Sequence, residues 1–567
     1  MRRYILTIAA LLVAVAASAQ VTREVEVTKQ YVPKLPPAHK LDMVTDKQDT
    51  VTIRPEIDYT IAPKSFASAL STSKFRPATV TYWEYNKRYP FYVKVGAGYP
   101  LASEVDVYAT TNRADVGYIT GYVNHRGQFS KIKGETELAK GEVVPYDNNS
   151  QQMTNRVGVN GGKYFGRYTL DGDVYYQSDI YHRYPQQVTE TTADEVNFEN
   201  IAARLTFGDS FSDLSKFNFG IYVAADYYND KSEHLLEADQ TLKLQQFSLS
   251  AGVKAARKLA ERAELMISAD YNGYYGSKSL ENYTDNIVSA TALFGYHAKR
   301  IFDMKLGVTY SFDNNTVLDK SQHHILPYLY AGADALENGA VVPYVEFDSK
   351  LINNSYQQLQ RINPYIAMPA EVSLLPNTVE YNARVGVSGH VGGNKFAYRL
   401  YGNMGLIKNA LYWYSPTPAY FDAEVADQTV FSLEASLEYK PISQLYIAAS
   451  AKGMIYKTPQ SVEVENCKPS ILGNLSIRYT HSKFAIGASA DVVGATKWTV
   501  YLTQDRSSSA VVSYPTYVNL KATFDWFISK QCTLYLEGRN LTNSKIHNWA
   551  LYKEYGAGGV VGVKVQF

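Results

Sequence analysis

From Tyr89 to the end of the chain, one pattern recurs: stretches of alternating apolar and polar side chains, separated by turn residues. A period of two is the strand period, and a helix cannot satisfy it. Phe302, Met304, Leu306, Val308, Tyr310 and Phe312 share one face, and Asp303, Lys305, Gly307, Thr309 and Ser311 share the other. The same division recurs in Phe217–Ala225, Leu265–Tyr271 and Phe484–Ala490. A soluble sandwich also has an apolar face opposite a charged one. Repetition over more than 450 residues with no second composition favours a single closed wall with a lipid face and a wet face.

Strands are expected to begin near 89, 104, 115, 154, 167, 197, 216, 241, 263, 285, 302, 323, 340, 376, 395, 428, 444, 468, 484, 515, 532 and 557, which makes 22. Their connections alternate in length. Short turns fall near Asn112-Arg113, Phe165-Gly166, Lys299-Arg300, Asn338-Gly339, Gly392-Gly393-Asn394, Pro441-Ile442 and Ser482-Lys483; longer loops fall near 126–153, 179–196, 350–376, 407–428, 494–514 and 543–556. Short periplasmic turns alternating with longer outer loops are the arrangement of outer-membrane barrels. The expected fold is therefore all-β: a transmembrane, antiparallel, up-and-down β-barrel over 89–567.

The two ends fit that compartment. Met1-Arg2-Arg3, an apolar run from Tyr4 to Ala16 and Ala17-Ser18-Ala19 read as a signal peptide over 1–19. No later apolar run reaches the length of a helical membrane span. Residues 20–88 are punctuated by Pro33, Pro36, Pro37, Pro55, Pro63 and Pro77 and show little periodicity, so they read as a periplasmic or lumenal arm. At the other end, Val561, Val563, Val565 and Phe567 share a face opposite Gly562, Lys564 and Gln566. A terminal aromatic on the lipid face reads as a closing strand, with Gly562, Val565 and Phe567 as its signal.

Composition narrows the function. The 48 tyrosines suit both a membrane interface and a wet lumen. The formal charge of +1 becomes about −1 without Arg2 and Arg3, so no basic field points to nucleic acid. Cys467 and Cys532 define no disulfide framework, and Cys532 alternates onto the face of Leu534 and Leu536. Adjacent His323 and His324 point to opposite faces of a strand and do not form a metal site. No cofactor motif, nucleophile elbow or paired-acid motif stands out, so an enzyme is not expected. Tyr412, Trp413, Tyr414 and Tyr420 lie in an expected outer loop, where they could stack on a flat external ligand or form an interface girdle.

Leu536-Glu537-Gly538-Arg539-Asn540-Leu541-Thr542-Asn543 and the following Gly562-x-x-Val565-x-Phe567 resemble the last two strands of TonB-dependent receptors. The count of 22 is also where plugged outer-membrane transporters sit. The resemblance implies an outer-membrane barrel taking part in solute uptake or binding. It departs from the family at the N-terminus, where 20–88 is too short for a full plug domain. Glu24-Val25-Glu26-Val27-Thr28 is similar to the short TonB-contacting box, although an ordinary extended arm would read the same way. The alternative is a plug-less scaffold or assembly subunit. Expected partners are outer-membrane lipid, the barrel assembly machinery during biogenesis, and TonB or another envelope protein. An empty barrel of this size would be a wide hole. The arm, inward-bending loops, a second protein, or lumen ion pairs drawing on Asp171, Asp173, Arg399, Glu434, Glu438, Lys521 and Asp525 must therefore fill it.

Overall fold

The computed structural model describes residues 89–567 except for 114–115, 139–141, 186–194, 233–234, 237–239, 242, 299–300, 317, 319–320, 367–374, 394, 417–419 and 502–505. The expected signal peptide, the 20–88 arm, Glu24–Thr28 and the Lys299-Arg300 turn lie outside the described residues.

Twenty-two strands form one antiparallel sheet that closes on itself. In chain order the first eleven are β1 (Phe91–Tyr99), β2 (Ala102–Arg113), β3 (Gly117–Gln128), β4 (Gln152–Phe165), β5 (Tyr168–His182), β6 (Glu195–Asp209), β7 (Asn218–Asp230), β8 (Leu244–Ala260), β9 (Ala263–Lys278), β10 (Thr284–Ala298) and β11 (Phe302–Asn315). The rest are β12 (Gln322–Ala333), β13 (Val342–Ile352), β14 (Thr378–Val391), β15 (Phe396–Tyr414), β16 (Asp422–Ile442), β17 (Leu445–Lys457), β18 (Ile471–Thr480), β19 (Phe484–Val493), β20 (Tyr517–Phe527), β21 (Cys532–Arg539) and β22 (Gly558–Gln566). All but one begin within three residues of the expected positions.

The exception is β16, which starts at Asp422 rather than near 428, because β15 and β16 continue as a hairpin beyond the membrane. Their ladder jumps between Ile407 and Ala410, and Asn409 sits in the left-handed region at φ 53°. This β-bulge breaks the alternation, and most of the expected 407–428 loop is strand. Strand lengths show the same effect. At about 3.4 Å per residue and a tilt near 40°, an apolar band about 25 Å tall takes roughly ten residues. β1 and β22 have 9 residues each, whereas β15 has 19 and β16 has 21. The longer strands therefore rise above the bilayer as a collar.

β1 and β22 pair from Tyr92↔Gln566 to Tyr99↔Gly559. Phe567 completes this seam: it exchanges backbone hydrogen bonds with Phe91 at 2.9 and 3.0 Å and stacks on the Phe91 ring at 5.3 Å. Val565 lies across from Val93 and Cys532 in the ladder. Gly562 is opposite Gly96, and a Cβ at either position would collide with the Tyr535 ring, which lies across the lumen face of both strands.

The wall is apolar outside and wet inside. Val385, Ile455 and Val561 are among its most outward-exposed side chains, as a lipid face requires. Lumen partners replace a hydrophobic interior: Arg126 pairs with Asp106 at 2.7 Å, Lys452 with Glu434 at 3.4 Å, Lys521 with Asp491 at 3.5 Å and Lys564 with Asp525 at 2.7 Å. Asp171 and Asp173 accept from Tyr118 and Tyr122, each at 3.1 Å, and Arg399 lies over the rings of Tyr344 and Tyr401. The hydrophobic core proper is elsewhere, at the rim where odd-numbered strands end.

Candidate functional site: the closed outer mouth

Loops that follow β3, β5, β9, β13, β15, β17, β19 and β21 contribute to one buried apolar cluster. Every odd-numbered strand runs toward the same rim, so these loops meet across the mouth. Phe421 is fully buried, with ring centroids 5.3 Å from Trp549 and 5.9 Å from both Trp498 and Tyr552. Trp413 packs on Trp549 at 5.6 Å. Tyr365 stacks on Tyr552 at 3.8 Å and meets Tyr181 of β5 edge-on at 6.2 Å. Tyr184 donates its hydroxyl proton to the Lys553 carbonyl at 2.9 Å. These contacts link β5, β13, β15, β19 and β21 around most of the circumference. Each buried aromatic removes roughly 150–250 Å² from water, so the cap is a folded core rather than a set of draped loops.

The loop after β13 reaches the inner wall. It carries the short helix α1 (Tyr356–Ile362), and its partners are lumen-facing side chains. The Tyr356 hydroxyl donates to Asp230 at 2.6 Å, Gln357 Nε2 donates to Asp226 at 2.7 Å, and Arg361 pairs with Asp226 at 3.3 Å. Gln246 on β8 donates to Ser355 Oγ at 3.3 Å. At the loop's ends, Asn353 and Asn377 donate to Asp285 on β10, each at 2.7 Å. The loop is thus fastened to the inner wall of β7, β8 and β10 and forms the ceiling of the lumen.

The loop after β21 carries displaced titrations. Burial raises the Glu554 carboxyl to about 7, against the donating Asn548 amide. Burial lowers His547 to about 4, and its ring stacks on Tyr514 at 4.1 Å. In the loop after β17, burial pushes the Cys467 thiol up to about 11.

The residues expected to meet an external ligand are placed differently. Tyr412, Trp413 and Tyr414 are all buried, on opposite faces of β15: Trp413 belongs to the cap core, whereas Tyr412 and Tyr414 pack in a separate cluster with Val464. Tyr414 donates to Asp422 at 3.0 Å, and Gln428 donates to the Tyr412 hydroxyl at 3.0 Å. Neither an exposed stacking platform nor a membrane girdle describes them: the collar lifts them above the bilayer, and the loops cover them. Tyr420 is half-buried beneath the Arg183 guanidinium, 4.8 Å from its ring centroid. His323 bonds Tyr310 at 2.6 Å on the outer face, while His324 lies 3.6 Å from Asp313 on the lumen side. Among the described residues, no group of three or more His, Cys, Asp or Glu is arranged to hold a metal ion. Cys467 and Cys532 are both free thiols. Inward-bending loops were one of the fillings the sequence allowed, but it identified neither α1 nor the residues of the cap; a signal for the latter was the location of Trp413, Trp498 and Trp549 in loop-forming stretches.

No family model and no curated protein matches the sequence. Solved structures do match the fold. The siderophore receptor PirA from Acinetobacter baumannii aligns with a TM-score of 0.64 at 11% identity, covering 84% of this chain and 80% of that one. The FrpB iron transporter from Neisseria meningitidis aligns at 0.63 and 12% identity, over 85% and 82%. The ferripyoverdine receptor of the Pseudomonas aeruginosa outer membrane aligns at 0.60 and 12% identity, over 84% and 72%. The described chain has the 22-stranded barrel fold of TonB-dependent outer-membrane receptors.

Proposed function

We propose that this chain is an outer-membrane uptake barrel of the TonB-dependent-receptor type, whose outer mouth is closed by its own loops. The observation that carries this reading is a charged lumen lying directly under a ceiling built from the loop after β13. A passage of this size needs a closure, and a closure fastened by hydrogen bonds to the wall can be released. Transport, rather than catalysis, is the work such a wall supports. Glu24–Thr28 is the segment proposed to engage TonB or another envelope protein. The test is accumulation of a panel of ferric siderophores, the cargo class of similarly folded receptors, in cells with and without the protein. Cells lacking it should accumulate less of at least one probe, and removing Glu24–Thr28 should reproduce that loss if the uptake is energised. Equal accumulation of every probe would count against uptake.

A second reading is favoured by how completely the cap is packed. A barrel permanently sealed by an aromatic core suits a scaffold or assembly subunit of an outer-membrane complex. Native purification returning only this chain would remove that alternative.

A further inference from the structure

The inward loop is tied to the wall at one place where two acids meet. Asp285 of β10 and Asp313 of β11 are both fully buried on the lumen side. Asn377 Nδ2 donates to Asp285 Oδ2 at 2.7 Å and to Asp313 Oδ2 at 2.9 Å, and Asn353 Nδ2 donates to Asp285 Oδ2 at 2.7 Å. One amide nitrogen therefore draws two carboxylates together. The second oxygen of each, Oδ1, is buried and has no hydrogen-bond partner among the described residues.

The surroundings offer little compensation. His324 of β12 approaches Asp313 Oδ2 at 3.6 Å. Tyr283, just before β10, accepts from Asn353 Nδ2 at 3.3 Å, and Tyr274 of β9 lies within electrostatic reach of Asp285. Among the described residues, no lysine or arginine forms an ion pair with either acid. Two ionised carboxylates held together by one amide nitrogen repel each other, and each keeps a buried acceptor atom that none of the described residues satisfies. A single proton on the pair answers both problems, because a protonated carboxyl supplies the missing donor.

We propose that Asp285 and Asp313 share one proton and form a pH-sensitive latch on the loop between β13 and β14. With the proton in place, Asn353 and Asn377 clasp a singly charged pair, and α1 stays folded against the inner wall. When the proton leaves to solvent, two buried negative charges remain, and they can be hydrated only by withdrawing the loop that covers them. The latch deepens the uptake reading, since it names what would release the closure. Its readout is loop motion rather than solute flux, so either can fail alone.

The test is hydrogen exchange of the segment containing α1 in the full mature protein, from pH 6 to 10, after correction for intrinsic exchange rates. Protection should fall with rising pH by up to about tenfold per unit, the limit for one linked proton. Asp313→Asn, which fixes the neutral state, should stay protected throughout. Asn377→Ala should be poorly protected at every pH. Flat protection in the wild type, or an unchanged pH dependence in Asp313→Asn, would overturn the latch. Loss of protection on adding EDTA at neutral pH would overturn it in favour of a bound cation. Heat-modifiable gel mobility reports whether each variant has folded; if Asp313→Asn does not fold, Asp285→Asn and the wild-type titration decide.

Discussion

Replacing Phe421 with alanine should open the cap without opening the wall. The ring is fully buried and touches Trp498, Trp549 and Tyr552. Removing a buried phenylalanine costs about 3–5 kcal/mol, from lost transfer energy plus the cavity left behind. None of those contacts is to a transmembrane strand, so the cost falls on the cap's local opening equilibrium. At 1.4 kcal/mol per tenfold, that is an acceleration of about 10²–10⁴ in exchange of cap amides. Reporters are the Phe421 amide, bonded to the Tyr365 carbonyl at 3.1 Å, and the Glu554 amide, bonded to Ile546 at 2.8 Å. Amides of the β1–β22 seam are the internal control and should not change. Site-resolved hydrogen exchange in detergent makes the measurement. Equal acceleration in cap and seam would mean that they unfold as one unit, and no acceleration in either would mean that the loops do not form a core.

The seam offers a second perturbation. Glu104 is buried against Lys94 at 3.0 Å, Arg539 and the Tyr535 hydroxyl, so Glu104→Gln should destabilise the barrel by about 3–5 kcal/mol, as loss of one partner in a buried ion pair does. Urea unfolding monitored by gel mobility would detect it. Lys350→Met, at the more exposed pair with Glu380, should cost no more than about 1 kcal/mol. In the cap, two titrations oppose each other. Glu554, raised from 4.5 to about 7, contributes stability that is full below 4.5 and is lost as pH rises through 7. His547, lowered from 6.5 to about 4, contributes stability that is full above 6.5 and is lost as pH falls through 4. Cap stability, followed by tryptophan fluorescence, should therefore show an acid-side loss unmasked by Glu554→Gln and an alkaline-side loss unmasked by His547→Phe.

The wall was legible in the sequence because lipid imposes one rule on every strand. In β11, the outward Phe302, Met304, Leu306 and Val308 and the inward Asp303, Lys305 and Thr309 can be read directly from the alternation. That rule lapses above the bilayer. Asp422–Gln428 has protein and solvent rather than lipid on its two sides, so its start carries no period, and the alternation becomes readable only from about residue 428, six residues into β16. The cap was illegible for a different reason. Its contacts join residues such as Tyr184 and Lys553, 369 positions apart, and no local pattern announces them. An aromatic ring also suits a girdle, a ligand platform or a core equally well, so Tyr412-Trp413-Tyr414 could not be assigned without tertiary structure. The helix α1, at seven residues, is too short to establish a helical period.

Single-channel conductance bears most directly on closure by the chain's own loops. The intact protein should be compared in planar bilayers with a variant in which 353–377 is replaced by a short Gly/Ser turn. The account predicts low conductance for the intact chain and a large increase when the ceiling is removed. Equally high conductance in both would contradict it, because the mouth would already be open with the loop in place.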